Sequence, residues 1–385
     1  MKKVKLGDVC KIQSGGTPSR GNLNYWNNGN IPWVKISDIK EKYLSRTEEF
    51  ITQEGLANSS AKIFPKETIL YTIFATLGEV SILGIEATTN QAIAGLQIID
   101  ENICKDYLYY YLISLKPFVN EIGRGVAQNN INMQILRNFE IPLPSLEEQK
   151  AIARKLDKVS GLIEKRKTQH AKLSELVKSR FIEMFGEPES NPLHWKMLPL
   201  ENCLTVLGGY AFKSEEFKTS GVPVLRIGNI NTGVFTPTNM VYWAEDASLE
   251  RYQVLPGDLV ISLTGTVGKD DYGNVCILGN TYPLYYLNQR NAKLILGESL
   301  NKHYLSELLK FSQIKKKLTG ISRGVRQANI SNRDILNLVV PIPPIELQTQ
   351  FATFVEQTDK SKFEIQKSLE KLETLKKALM QKYFG

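Results

Sequence analysis

Histidine and cysteine are scarce in this chain. Three histidines (His170, His194, His303) and four cysteines (Cys10, Cys104, Cys203, Cys276) are scattered over 385 residues. No C-x-x-C pair exists, which argues against a zinc ribbon or a redox dithiol. The isolated histidines argue against a multi-histidine metal centre. Free buried thiols in a reducing compartment are the simplest reading. No run of about 18 uncharged apolar residues is present to span a bilayer. The opening Met1-Lys2-Lys3-Val4-Lys5 lacks the apolar stretch of a secretory signal. A cytoplasmic location with no membrane partner is therefore expected.

Catalytic signatures are also missing. There is no N-P-P-[YF] or D-P-P-Y tetrapeptide and no F-x-G-x-G loop, so no amino-methyltransferase site is visible. G-x-S-x-G, H-E-x-x-H and the P-loop are absent too. Gly265-Thr266-Val267-Gly268-Lys269 has the wrong spacing and ending for a Walker A loop. Glu148-Gln149-Lys150 resembles the end of a nuclease E-x-K only superficially, because it lies on an amphipathic helical stretch without a supporting Asp strand. Neither a catalytic nor a metal-binding residue is expected.

What is present is enough for two or three domains at roughly 150 residues each. Apolar residues make up 42%, enough to build real cores, and the formal charge is +8. A mild basic excess suits a polyanionic partner, although ordinary solubility charge would look the same.

The dominant feature is an internal repeat. Residues 124–149, RGVAQNNINMQILRNFEIPLPSLEEQ, align without a gap to residues 323–348, RGVRQANISNRDILNLVVPIPPIELQ. The offset is 199, and 11 of 26 positions are identical. Phe185-Gly186 and Phe384-Gly385 keep that offset, as expected for one structural unit used twice. The fronts of the two halves match more loosely, at offsets drifting from 191 to 199. Ile31-Pro32-Trp33-Val34-Lys35-Ile36 parallels Val222-Pro223-Val224-Leu225-Arg226-Ile227, and Asn90-Gln91 parallels Asn288-Gln289. Shared scaffolds with different loops suggest one task performed on two targets; neutral drift after an old duplication is the alternative.

Each half has two textures. The front is rich in β-branched and aromatic residues and in turn signals, with helical stretches from Asn102 to Leu115 and from Leu300 to Leu318, so an α+β globule is expected. The back, about 40 residues, is helical. Apolar residues at Ile152, Leu156, Val159, Ile163, Leu173 and Val177 form a seam, and Val355, Ile365, Leu369, Leu372 and Leu379 repeat it. Spacings of 3 and 4 require a helical partner. The expected boundaries are a globule over 1–145, a helix over 146–186, a second globule over 187–344 and a second helix over 345–385. Pro142 and Pro144, then Pro341, Pro343 and Pro344, launch helices of roughly 60 Å. Running them antiparallel buries both seams and yields a pseudo-two-fold dumbbell.

Two unlike globules on a rigid spacer suit a bipartite DNA site, since paired readers on B-DNA sit roughly 34 Å apart or at multiples of it. Bridging two proteins is the alternative, with the basic charge incidental. The repeated segment offers Arg124, Gln128 and Asn130 in one half, and Arg323, Arg326, Gln327 and Asn329 in the other, for phosphate or base edges. Equally, its Gly shapes a turn and its Asn caps the next helix. Specificity is expected from the divergent loops. The first half contributes Thr17, Arg20, Asn24, Tyr25, Trp26, Lys35, Asn90 and Gln91. The second contributes Tyr210, Lys213, Arg226, Thr264, Thr266, Lys269, Asn288, Gln289 and Arg290.

The tandem R-G-x-x-Q-x-N-[IL] segments, each running into I-P-[LI]-P-x-[LI]-E-x-Q and a long helix, resemble the specificity subunit of type I restriction-modification systems, as do Leu6-Gly7-Asp8-Val9 followed by Gly15-Gly16-Thr17-Pro18. The resemblance covers the whole chain, although Gly209-Tyr210-Ala211-Phe212 departs from the G-G-x-P opening. It implies a non-catalytic subunit that reads an asymmetric bipartite site in double-stranded DNA, one half per target-recognition domain, across a gap set by the helices. It further implies two modification subunits that methylate adenine, and leaves open a pair of restriction subunits. S-adenosylmethionine, ATP and magnesium would then belong to those partners, with no cofactor in this chain.

Overall fold

The computed structural model describes residues 2–124, 130–320 and 327–385. Two compact units emerge, residues 1–167 with 367–385, and residues 168–366. Both have the expected α+β character, and each divides its strands between two main sheets.

The first unit is built on a five-stranded sheet ordered Cys10–Ser14, Ile93–Ile98, Ile69–Thr72, Val80–Leu83, Tyr43–Leu44, antiparallel except for the last pair. A second sheet orders Glu49–Ile51, Ile31–Val34 and Thr88–Thr89. In the second unit a four-stranded antiparallel sheet runs Leu204–Gly208, Asn291–Leu296, Leu259–Ser262, Val275–Ile277. Its companion sheet orders Val241–Trp243, Val222–Leu225, Tyr285–Leu287, Gln253–Val254.

The central strands read as continuous apolar runs because each of their faces serves a different core. Successive side chains of a strand point to opposite faces. Ile69 and Tyr71 enter a core with Leu6, Tyr107 and Leu156, whereas Leu70 enters one with Val34, Phe64 and Leu83. Leu259 and Ile261 likewise face Tyr304 and Phe351, while Val260 faces Leu225 and Leu287.

The helical stretch expected from Leu300 to Leu318 is two helices, Lys302–Lys310 and Ser312–Thr319. Phe311 between them is extended (φ −62°, ψ 128°). That break turns its ring onto Phe181, at 4.9 Å between centroids, and tertiary packing there outweighs local helix propensity. The equivalent stretch in the first unit is Lys105–Ser114 followed by Lys116–Arg124.

Two 40-residue helices, Leu146–Phe185 and Ile345–Phe384, follow the proline-rich strands Glu140–Pro142 and Val339–Ile342. Ser145 Oγ accepts from the Glu148 N–H and caps the first helix. Gly186 ends it at φ +77°, with its N–H on the Ile182 carbonyl, a left-handed stop that glycine adopts without strain.

Within each unit the two helices pack antiparallel. In the first unit, Lys155 donates to the Tyr383 hydroxyl, and the Phe384 ring packs on Tyr107 and Tyr111. In the second, Phe181 and Phe185 meet Phe351 edge to face at 5.5 and 5.4 Å. Ile152, Leu156, Val159, Ile163, Val177, Val355 and Leu369 are buried, and Leu173, Ile365, Leu372 and Leu379 are half-buried. The heaviest packing, at Phe181 and Phe185, lies outside the seam read from the sequence. Among the described residues no helix is long and apolar enough to cross a membrane.

Candidate nucleic-acid interface

The opening loops close against the companion sheet through a shared device. Gly16 N–H donates to the Thr89 carbonyl (2.9 Å) in the first unit, and Tyr210 N–H to the Leu287 carbonyl (2.8 Å) in the second. A Cβ on Gly15 would lie 2.0 Å from Thr89 Oγ1, and one on Gly209 would lie 2.2 Å from the Asn288 carbonyl oxygen. The glycine pair is therefore demanded by close backbone approach.

Asn90 and Asn288 occupy equivalent turns. Asn90 Oδ1 accepts from the Ala92 N–H, and Asn288 Oδ1 from the Arg290 N–H. Asn288 is only 7% exposed, so its side chain holds the turn instead of facing solvent, a correction to its place among the expected DNA-facing groups. Gln91, Gln289 and Arg290 next to these turns are exposed. The Thr17 hydroxyl donates to Gln91 Oε1 and ties the opening loop to that turn.

The first unit's basic groups converge on one platform. The Arg20 guanidinium lies 3.7 Å from the Trp26 ring centroid and 4.7 Å from that of Trp33. The two indoles meet edge to face at 5.0 Å, and Trp26 Nε1 donates to the Ser19 carbonyl. One guanidinium nitrogen holds Glu49 at 2.5 Å; Lys35 pairs with Glu48 (2.9 Å) and Glu49 (3.1 Å). The bond from Arg20 holds the Glu49 carboxyl below its usual range, against a partial burial that raises it, with Lys35 adding to the lowering. Glu48 and Glu49 were not anticipated. Register explains them: Glu49 pairs with Trp33 across the strands, a neighbour no local pattern reveals. Asn24 is exposed, its carbonyl held by the Thr52 hydroxyl, and Tyr25 is half-buried.

In the second unit Arg226 matches Lys35. Each backbone N–H donates to the side chain three residues on, Asn229 and Asp38, opening equivalent turns. Arg226 Nη2 donates to the Asn239 carbonyl (2.6 Å), and its buried Nε has no hydrogen-bond partner among the described residues. Tyr210 is exposed and packs on Phe212 and Tyr252. Lys213 pairs loosely with Glu216 at 3.2 Å.

The repeated segment folds beside these loops. Thr264 and Gly265 pair with Asn329 and Ala328, and Thr266 with Gln327, while the Leu263 N–H reaches the Arg290 carbonyl. Thr264, Thr266, Arg290 and Asn329 thus share one edge, with Lys269 exposed beside them. The first unit repeats this more briefly, through the Phe74–Asn130 bridge. Asp271 accepts from both the backbone and the hydroxyl of Thr266. Gln128, Arg323 and Arg326 lie outside the described residues, as do the side chains of Arg124 and Gln327. The helices after the segment are capped by Asn132 and Ser331, two residues beyond the asparagine expected to do it.

A second shared device joins each globule to its long helix. Gln149 Nε2 donates to the Asn102 (2.8 Å) and Pro144 (3.0 Å) carbonyls, and its Oε1 accepts from the Cys104 N–H (2.9 Å). Gln348 repeats this with Ser299 (3.0 Å), Pro343 (2.8 Å) and the Asn301 N–H (2.8 Å). Both glutamines are fully buried. The glutamine of the E-x-Q motif is therefore a structural lock.

The chain matches the type I restriction modification DNA specificity domain twice, over residues 1–174 and 192–377. A type I restriction enzyme specificity subunit of Methanocaldococcus jannaschii, MjaIX, is 28% identical across 99% of this chain and 91% of its own length. The EcoKI specificity subunit of Escherichia coli is 23% identical across 94% and 83%. The crystal structure of the S subunit from M. genitalium aligns over 100% of this chain and 96% of its own, with a TM-score of 0.61 and 17% identity, which speaks for a common fold. With both halves matched on the same plan of strands, lock and long helix, the chain belongs to the family of type I restriction-modification DNA specificity domains.

Proposed function

We propose that this chain is the non-catalytic, DNA-reading subunit of a type I restriction-modification complex. Each unit reads one half of an asymmetric bipartite site, and the two long helices set the unread gap. Residues 1–145 and 187–344 act as target-recognition domains, 146–186 and 345–385 as spacers. The observation that carries this reading is the combination of one invariant joint, Gln149 and Gln348, with two different loop surfaces. Same joint and different loops mean same placement and different sequence preference. Arg20 and Lys35 in the first unit, and Lys213, Arg226, Lys269 and Arg290 in the second, supply phosphate affinity or reach base edges; a good bidentate contact is worth ~1–3 kcal/mol.

The helices dock two modification subunits, which carry S-adenosylmethionine and methylate adenine in the cytoplasm. Where restriction subunits join, they bring ATP and magnesium. Co-expression with the modification subunit, followed by mapping of methylated adenines across a host genome, tests the reading. One bipartite motif with a fixed gap is expected. Residues inserted into the helices should alter the gap and leave both half-sites intact; altered half-sites would refute the ruler. DNA binding that is absent or indifferent to salt, with modification subunits bound, would favour a protein-bridging scaffold.

A further inference from the structure

The two units carry one equivalent acidic position on the long helix, met by a lysine in the first and by a histidine in the second. Tyr107 and Tyr304 are counterparts, since their hydroxyls donate to the Pro142 and Pro341 carbonyls. The residue before each is Asp106 in one unit and His303 in the other. Asp157 and Glu356 are counterparts on the long helices, at the repeat offset of 199. In the first unit Lys42, ahead of the strand Tyr43–Leu44, reaches between the pair, 2.7 Å from Asp106 and 2.5 Å from Asp157. The Tyr43, Tyr109 and Tyr110 rings surround its ammonium at 5.2–5.4 Å.

In the second unit His303 Nε2 contacts Glu356 directly at 3.2 Å, and the buried Nδ1 has no hydrogen-bond partner among the described residues. Beside the pair lies an open groove of about 590 Å³ lined by His303, Glu356, Asp359, Lys360, Phe363 and Glu364. These side chains come from the helix Lys302–Lys310 and the second long helix alone; no loop reaches in among the lining residues. Phe363 is 66% exposed. Burial holds the His303 imidazole below its usual range despite the nearby Glu356, so it adds no positive charge at neutral pH.

Lys362 pairs with Asp359 at 3.5 Å, which leaves Glu356 and Glu364 against Lys360. That acidic excess disfavours a phosphate backbone, and the exposed Phe363 ring beside it offers apolar area. Lys42 and Tyr43 show what satisfies such a site: an ammonium between acids, with an aromatic ring alongside. We propose that the groove at His303, Glu356 and Phe363 docks a segment of the modification subunit that presents a lysine or arginine beside an aromatic or aliphatic side chain. This rests on the reading above that the long helices dock such subunits, and deepens it: the first unit is plugged by its own Lys42, so this contact belongs to the second unit alone.

The test uses the full chain and its modification subunit. Binding is titrated for wild type, for Glu356→Gln/Asp359→Asn/Glu364→Gln together, and for Phe363→Ser. Each variant should weaken binding at least ~10-fold, with thermal unfolding of the free chain unchanged because the substituted groups are exposed. A benzoylphenylalanine photo-crosslinker at position 363 should label a lysine- or arginine-bearing segment of the modification subunit. Wild-type affinity in both variants, or crosslinks to DNA, would overturn the groove and leave helix docking standing. A wild-type chain that binds no modification subunit would overturn both.

Discussion

Replacing Gln149 by leucine removes one side chain and three hydrogen bonds. The residue is fully buried, so the Cys104 N–H and the Asn102 and Pro144 carbonyls lose partners at a joint with little access for water. At about 1 kcal/mol per bond the loss is ~3 kcal/mol, and the apolar burial gained by leucine returns ~0.5–1. A net cost of ~2–2.5 kcal/mol is expected. With a urea m-value of ~2 kcal/mol/M for a unit of this size, the midpoint should fall by ~1 M. Trp26 and Trp33 report on the first unit and Trp195 and Trp243 on the second, so tryptophan fluorescence with single-unit Trp→Phe backgrounds separates the transitions. Gln348→Leu should produce a matching shift in the second unit, because its three bonds have the same partners by position. Gln149→Glu should cost at least as much, since a carboxylate turned toward two carbonyl oxygens repels them. Midpoint shifts below ~0.3 M in both leucine variants would refute the lock.

Lys42→Met should destabilise the first unit by about 2 kcal/mol, because Asp106 and Asp157 would share a half-buried site without their cation. The pH response has a defined sign. Burial raises the Asp106 carboxyl, but the Lys42 bond and charge override it and hold it below its usual range. Its stabilising contribution is therefore present above the unfolded value of about 3.9 and is lost as pH falls through the lower folded value. Without Lys42, burial dominates, and acid unfolding followed by circular dichroism should begin at higher pH. Glu49→Gln should release Arg20 and Lys35 from a shared carboxylate, raising affinity for random-sequence duplex at low salt and steepening the salt dependence by about one ion; an unchanged slope would mean that neither group meets phosphate. Gly209→Ala places a methyl 2.2 Å from the Asn288 carbonyl oxygen and should lower the second unit's melting temperature by several degrees, checked by calorimetry.

The duplicated plan was legible in the amino-acid sequence because its carriers are local. Helix periodicity, the prolines before each long helix and the glycine after the first act within a few residues of themselves, so 146–185 and 345–384 could be read directly. The offset of 199 even places Gln149 opposite Gln348, and Asp157 opposite Glu356. What those residues do was not legible. Gln149 sat in a motif that merely resembled a nuclease remnant, and two of its three partners, Cys104 and Asn102, are 45 and 47 residues away. Glu49 became part of the Arg20 platform only through its strand register with Trp33. Asn288 read as an exposed donor until the fold buried it in a turn. The break at Phe311 arose from an aromatic cluster assembled from Phe181, Phe185, Tyr304 and Phe351. Elements and their repetition were determined by the sequence itself, since the backbone pattern of a helix or a turn depends on near neighbours. Which charges face solvent, and which are neutralised by a carboxylate from another strand or helix, was decided by tertiary structure alone, because electrostatic partners are chosen by distance in space.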